Sequence, residues 1–246
     1  SIAIERLDAG GPERWALRAD RWIYPASMIK TPLVAAALLV VARGELSLAE
    51  SIAVDPRNVT ETDLATPLEA GACVPLEHLL ELAIARSDNV ATNQLYDVLG
   101  REHATRIVRD ELGLRSTGFR RKLSGGDTLL VDPAQTGRNS HPVADAVRLF
   151  ASIARGAFPG AATLRGYLER QECGAKLALG LSPGDRFANK TGETSRHSHD
   201  GGILQTADGR TYAVVVYTES PAGRESDARL GAFMRALRAQ LEATSA

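Results

Sequence analysis

Hydrophobic positions change their spacing twice along the chain. Ile2 to Leu7 alternates loosely and runs into Asp8-Ala9-Gly10-Gly11, and a second extended stretch, Arg14 to Ile23, follows. This pattern predicts a hairpin at the start of a sheet. From about Ser27 to Ala42 a helix is expected, and nearly every side chain from Leu33 to Ala42 is apolar. A helix with no polar face is buried on all sides. Pro32 is tolerated because it falls in the first turns. Residues 44 to 75 read as loop with short pieces, broken by Gly44, Pro56, Pro67, Gly71 and Pro75. Helical spacing resumes at Leu76–Arg86, Val90–Leu99, Glu102–Leu112, Pro142–Arg155 and Ala161–Gln171. Between them, residues 116 to 141 lack periodicity, and a loop of that length is usually functional. The period then shortens: Arg186–Lys190, Gly201–Gln205 and Thr211–Thr218 predict strands, with Ala207-Asp208-Gly209 as a hairpin turn. An amphipathic helix, about Glu225–Ala243, closes the chain.

Strands therefore sit at both ends and helices fill the middle. The expected fold class is α/β in the broad α+β sense: an antiparallel sheet built from both termini with flanking helices, plus an inserted all-helical lobe. The division expected is 1–30 and 175–246 for the sheet lobe and 31–174 for the helical lobe, forming one structural unit with the site at the seam.

Composition narrows the function. A formal net charge of −1 offers no field to steer the chain to nucleic acid or an anionic membrane. The longest apolar run, Leu33 to Ala42, is too short to span a bilayer. His197 and His199 lack an obvious third ligand, no C-x-x-C or H-E-x-x-H occurs, and neither metal nor cofactor is expected. Cys73 and Cys173 lie in segments that nothing in the pattern brings together, so no disulfide between them is expected. No signal peptide precedes Ser1, and a trimmed mature form is expected. The partner expected is a small molecule, and the chain is expected to be monomeric.

Three short motifs carry the chemistry. In Ser27-Met28-Ile29-Lys30, positions i and i+3 share a helix face. Ser27 falls at the helix start, where free N–H groups and the positive dipole end favour an oxyanion. A buried Lys30 would lose its charge readily and act as a base. Alone this motif is weak, since a capping serine before a surface lysine explains it equally well. Ser87-Asp88-Asn89 falls at a helix junction, where a polar N-cap loop is the plain alternative. Lys190-Thr191-Gly192 falls at the end of a predicted strand, where a lysine and a hydroxyl can bind a carboxylate and glycine permits close approach. The three occur in order, with 60 residues from Ser27 to Ser87 and 103 from Ser87 to Lys190. Chance coincidence is on the order of one in a thousand or less.

With these motifs the chain resembles the class A serine β-lactamases and penicillin-binding proteins over nearly its whole length. The segments Tyr24-Pro25-Ala26-Ser27 and Gly71 through Asn89 add to the likeness, although the family's usual N-terminal helix is not expected before Ile2. The resemblance implies a secreted or periplasmic enzyme in which Ser27 attacks the lactam carbonyl and Lys30 helps deprotonate it. It also implies that Ser87 relays a proton to the leaving nitrogen, Asn89 contacts the acyl side-chain amide, and Lys190 and Thr191 hold the carboxylate. The backbone N–H groups of Ser27 and Glu193 would form the oxyanion hole. One element departs from the family. Its deacylating glutamate belongs to an Arg-x-Glu-x-x-Leu-Asn pattern, and Leu123, in Arg121-Lys122-Leu123-Ser124-Gly125-Gly126, falls where that glutamate should be. Only Asp127 and Asp132 are acidic in this loop, and both are expected simply to solvate it. Glu193 is a second departure, an acid beside the carboxylate site, with Arg196 as the cation placed to offset it. Three functions stay open: a slow β-lactamase-like hydrolase, a D-Ala-D-Ala peptidase or esterase, and a non-catalytic β-lactam-binding relative.

Overall fold

The computed structural model describes residues 1–8, 13–126, 129–173 and 175–243. Its sheet contains β1 (Ile2–Arg6), β2 (Arg14–Leu17), β5 (Arg186–Thr194), β6 (His197–Gln205) and β7 (Thr211–Thr218) in the order β2-β1-β7-β6-β5, antiparallel throughout. A two-stranded sheet pairs β3 (Ser51–Ala53) with β4 (Cys73–Pro75). The helices are α1 (Lys30–Ala42), α2 (Leu76–Ala85), α3 (Asn89–Leu99), α4 (Arg101–Asp110), α5 (Val143–Ala154), α6 (Ala161–Glu169) and α7 (Arg224–Ala243).

The chain's first strand is thus paired to its last. Alternation along β7 gives the sheet two faces. Tyr212, Val214 and Val216 join Leu230 and Met234 of α7 in one core. Ala213, Val215 and Tyr217 join a larger core that continues through α1, α2, α3 and α5. Helix α1 is buried at every position from Lys30 to Val40, as its unbroken apolar run requires.

Several local expectations shift. The first turn of the Ser27 segment is a 3-10 turn, Ala26–Ile29, and the α-helix proper starts at Lys30. The second extended stretch is a strand only over Arg14–Leu17, because Arg18 takes φ +52°. The hairpin residues Ala9 to Gly11 lie outside the described residues. Strands β5 and β6 run further than the apolar pattern indicated, so Lys190-Thr191-Gly192 lies inside β5 and not at its end. Residues 44 to 75 contain the β3–β4 pair. Among the described residues no helix is long and apolar enough to cross a membrane.

Candidate active site

Ser27 sits in the 3-10 turn ahead of α1, after Ala26 at φ +49°. The turn's first bond is Met28 N–H to Pro25 O at 3.1 Å, which leaves the Ser27 N–H outside that ladder. The carbonyl of Tyr24 accepts from His199 Nε2 at 2.8 Å. Strand β5 lies against this turn at Gly192: a Cβ there would be 3.0 Å from both Met28 N and Pro25 O. A larger residue there would require the strand or the Ser27 turn to give by a few tenths of an ångström.

Ser87 lies in the middle of the link between α2 and α3 with φ +54°, a left-handed conformation that few residues with a side chain adopt. Asp88 explains how it is held. Its carboxylate caps α3 by accepting from Ala91 N–H at 2.8 Å, and its own N–H donates to Leu82 O at 3.1 Å. Sparsely populated backbone conformations persist where the surroundings over-determine them. The outcome is a hydroxyl shared by two lysines, one at the start of α1 and one in β5. Lys30 Nζ donates to Ser87 Oγ at 3.2 Å, Lys190 Nζ at 2.9 Å.

Both ammonium groups are fully buried. Burial, and then repulsion from Lys190, pull Lys30 down to about 7. Burial pulls Lys190 down to about 8, against attraction from nearby acids. Lys30 also donates to Ser87 O at 2.5 Å and Asn89 Oδ1 at 2.8 Å. An ammonium has three protons, and these bonds use them all. No hydrogen bond from Lys30 to Ser27 Oγ is formed among the described residues. Lys190 also donates to Thr191 O at 2.8 Å, and Thr191 Oγ1 donates to Cys173 O at 3.1 Å. Asn89 Nδ2 donates to Glu61 O at 3.0 Å. Both cysteines are free thiols.

Glu193 is balanced differently from the expectation. Its carboxylate accepts from Lys176 Nζ at 2.8 Å, and Lys176 also donates to Asp227 at 2.8 Å and to Ser198 Oγ at 3.0 Å. Lys176, not Arg196, is therefore the offsetting cation. Burial alone would lower its pKa, but the bonds to Asp227 and Glu193 prevail and raise it.

The loop carrying Leu123 is anchored by Asn93, which the motifs did not single out. Its Oδ1 accepts from Leu123 N–H at 2.8 Å and its Nδ2 donates to Leu123 O at 2.9 Å. Asn93 lies four residues after Asn89 on α3, hence on the same face, and that spacing was the available signal. The Leu123 side chain is buried. Asp132 is not a spare acid. It accepts from Arg101 at 2.6 and 2.9 Å and from Lys122 N–H at 2.8 Å. Burial pushes its pKa up, but these bonds outweigh it and hold the carboxyl below its usual value. This acid is a strut and not merely a solvated loop residue. Asp127 lies outside the described residues. Among the described residues, no group of His, Cys, Asp and Glu could hold a metal ion.

The fold is of the β-lactamase and transpeptidase type. A family model described as the Beta-lactamase enzyme family matches residues 1–241, and the chain belongs to that family. The beta-lactamase regulatory protein BlaB of Streptomyces cacaoi is 26% identical over 284 residues, covering 95% of this chain and 88% of that protein. A beta-lactamase from Sphaerobacter thermophilus superposes with a TM-score of 0.82 at 26% identity, covering 99% of this chain and 91% of that one. A leucine-to-glutamate mutant of PBP-A, solved as an acyl-enzyme complex with penicillin G, shares the fold with a TM-score of 0.83 at 22% identity, over 98% and 90% of the two chains.

Proposed function

We propose that the protein is a serine acyl-transfer enzyme that opens β-lactam rings through an ester on Ser27. The observation that carries this reading is the pair of buried lysines sharing the Ser87 hydroxyl beside the Ser27 turn. At neutral pH Lys30 is close to half neutral, so one of its bonds to Ser87 or Asn89 can be exchanged for a proton taken from Ser27. The Ser27 oxygen attacks the lactam carbonyl, and the oxyanion lies between the N–H groups of Ser27 and Glu193. Ser87, bonded to both lysines, passes a proton to the departing nitrogen. Lys190 and Thr191 hold the substrate carboxylate, and Asn89 contacts the acyl amide. Tethering Glu193 to Lys176 keeps its charge engaged while its N–H remains in β5.

Among the described residues of the loop 116–141, no uncommitted carboxylate is available as a base for deacylation. By the resemblance Leu123 falls where the family's glutamate would be, its apolar side chain is buried, and Asp132 is committed to Arg101. The acyl-enzyme is therefore expected to outlive its formation, which equally suits a D-Ala-D-Ala peptidase that traps penicillins. Intact-mass analysis with excess benzylpenicillin tests the reading: the mass rises by one ligand in the native protein and not in Ser27→Ala. An unchanged mass at saturating drug would sink it.

A further inference from the structure

A cavity of 710 Å³ opens beside the nucleophile's turn, lined by Trp22, Tyr24, Arg121, Arg138, Arg196 and His197, among others. It begins where three walls of the site end. Tyr24 precedes Pro25 of the Ser27 turn, Ser124 follows Leu123, and Thr194 lies two residues beyond Gly192 on β5. A strand rises about 3.3 Å per residue, so Thr194 is about 7 Å past the glycine that touches the nucleophile's turn. A substrate whose carboxylate lies at Lys190 and Thr191 and whose body follows β5 would carry its acyl substituent into this space.

The charges lining it are mainly positive. Glu219 is the one carboxylate among the described lining residues, and it is paired with Arg21 at 2.7 Å. Arg121, Arg138 and Arg196 reach the wall from three segments: the start of the loop after α4, its end, and the β5–β6 turn. No ion pair joins any of them to a described residue. Their field falls on the aromatic groups of the same wall: Arg121 and Arg138 act on the Tyr24 hydroxyl, and at the His197 ring, after burial, Glu219 acts first, with Arg196 and Arg138 opposing it. Tyr24 and His197 pack at 5.9 Å, and Trp22, 49% exposed, supplies a further flat apolar surface.

We infer that this cavity selects substrates whose acyl substituent combines an aromatic ring with an anionic group, a carboxylate by preference. The guanidinium fork matches a carboxylate in two-point contact, and the rings accept the planar apolar part. This specificity rests on the reading of Ser27 as the acylated residue, but the cavity can be tested without that chemistry.

The Trp15→Phe/Ser27→Ala protein leaves Trp22 as its sole tryptophan. Its fluorescence is titrated with three probes that differ in charge on one ring: phenylmalonate monoamide, phenylacetamide and phenylglycinamide. The anion is expected to bind about tenfold or more tighter than the neutral probe, and the cation weakest. The preference should weaken with salt and disappear in Arg121→Gln/Arg138→Gln/Arg196→Gln. Arg196→Gln alone, in an exposed turn, serves if the triple variant does not fold, and should reduce the preference. Equal binding of the three probes, or a preference untouched by Arg196→Gln and the triple variant, overturns the inference. In parallel, Ser27 acylation is compared for a penicillin with a carboxylate on its benzyl carbon and for benzylpenicillin. Absence of any adduct with either defeats the acylation reading, while the fluorescence result still decides the cavity.

Discussion

Lys30 and Lys190 lie on either side of one hydroxyl, and their protonation must differ for the proposed chemistry. Lys30 works as a base only without its proton, and its pKa lies at about 7. Lys190 holds a carboxylate only with its proton, and its pKa lies at about 8. Ser27 acylation should accordingly rise as pH passes through about 7 and decline above about 8, a narrow bell in stopped-flow rates at subsaturating penicillin. Because repulsion from Lys190 is the second cause of the low Lys30 value, Lys190→Met should move the rising limb to higher pH while weakening binding of the substrate carboxylate. A rising limb that stays in place would remove Lys30 from the role of base. The residues carrying this arrangement were legible as motifs, because serine, lysine and asparagine at these spacings have few joint structural explanations. Asn93 and Lys176 were not. Each acts through a contact distant in sequence, Asn93 on the backbone of Leu123 and Lys176 on Glu193 and Asp227.

Elements with a strong period were readable, and those built by cross-chain contact were not. The all-apolar α1 and the alternating β7 follow from their side chains alone. Strand β5 extends through Lys190, Thr191 and Gly192 because pairing with β6 satisfies its backbone, and contacts across the seam bury polar side chains that normally mark a strand's end. Residues 116–141 show no period, since individual side chains hold them: from outside, Asn93 holds Leu123 and Arg101 holds Asp132, and within the loop Asn139 accepts from the N–H groups of Arg120 and Arg121 at 2.7 and 3.1 Å. Two predictions belong to this loop. Leu123→Glu should give the acyl-enzyme a base and speed its breakdown by ~10²–10⁴-fold, turning a burst of one equivalent into sustained hydrolysis of a chromogenic cephalosporin. A burst of the same size with an equally slow second phase would show that the position does not face the ester. Asn93→Ala should strand a buried N–H and a carbonyl of Leu123 and lower stability by about 1–3 kcal/mol in urea melts. A loss within error would mean that water takes over both bonds.

At the scale of the molecule, the seam between sheet and helices joins more than it divides. Buried apolar contacts run without a break from Ala3 and Val215 in the sheet to Leu79 and Phe150 in the helices. The first residue is bound to the last strand as well: the Ser1 ammonium donates to Tyr217 O at 2.9 Å, and Tyr217 N–H donates to Ser1 O at 2.9 Å. Strand β1 has β2 on one side and β7 on the other, so it closes the sheet only after the last strand has been made. Neither part buries its apolar face alone, and the proposed catalytic groups come from both: Ser27 and Lys30 from the turn and helix following the first strands, Ser87 from the α2–α3 link, Lys190 from β5. The protein is expected to unfold as one unit, with urea transitions by far-ultraviolet circular dichroism, tryptophan fluorescence and Ser27 acylation coinciding at one midpoint. Tryptophan reports the sheet side, where Trp15 lies in β2 and Trp22 in the segment that follows, while the far-ultraviolet signal is dominated by the helices. Deleting residues 1–6 should expose the β7 edge and abolish the acylated product along with the transition. Separate midpoints for fluorescence and helix content would show two units folding independently, and the site would then be assembled by docking and not by a common core.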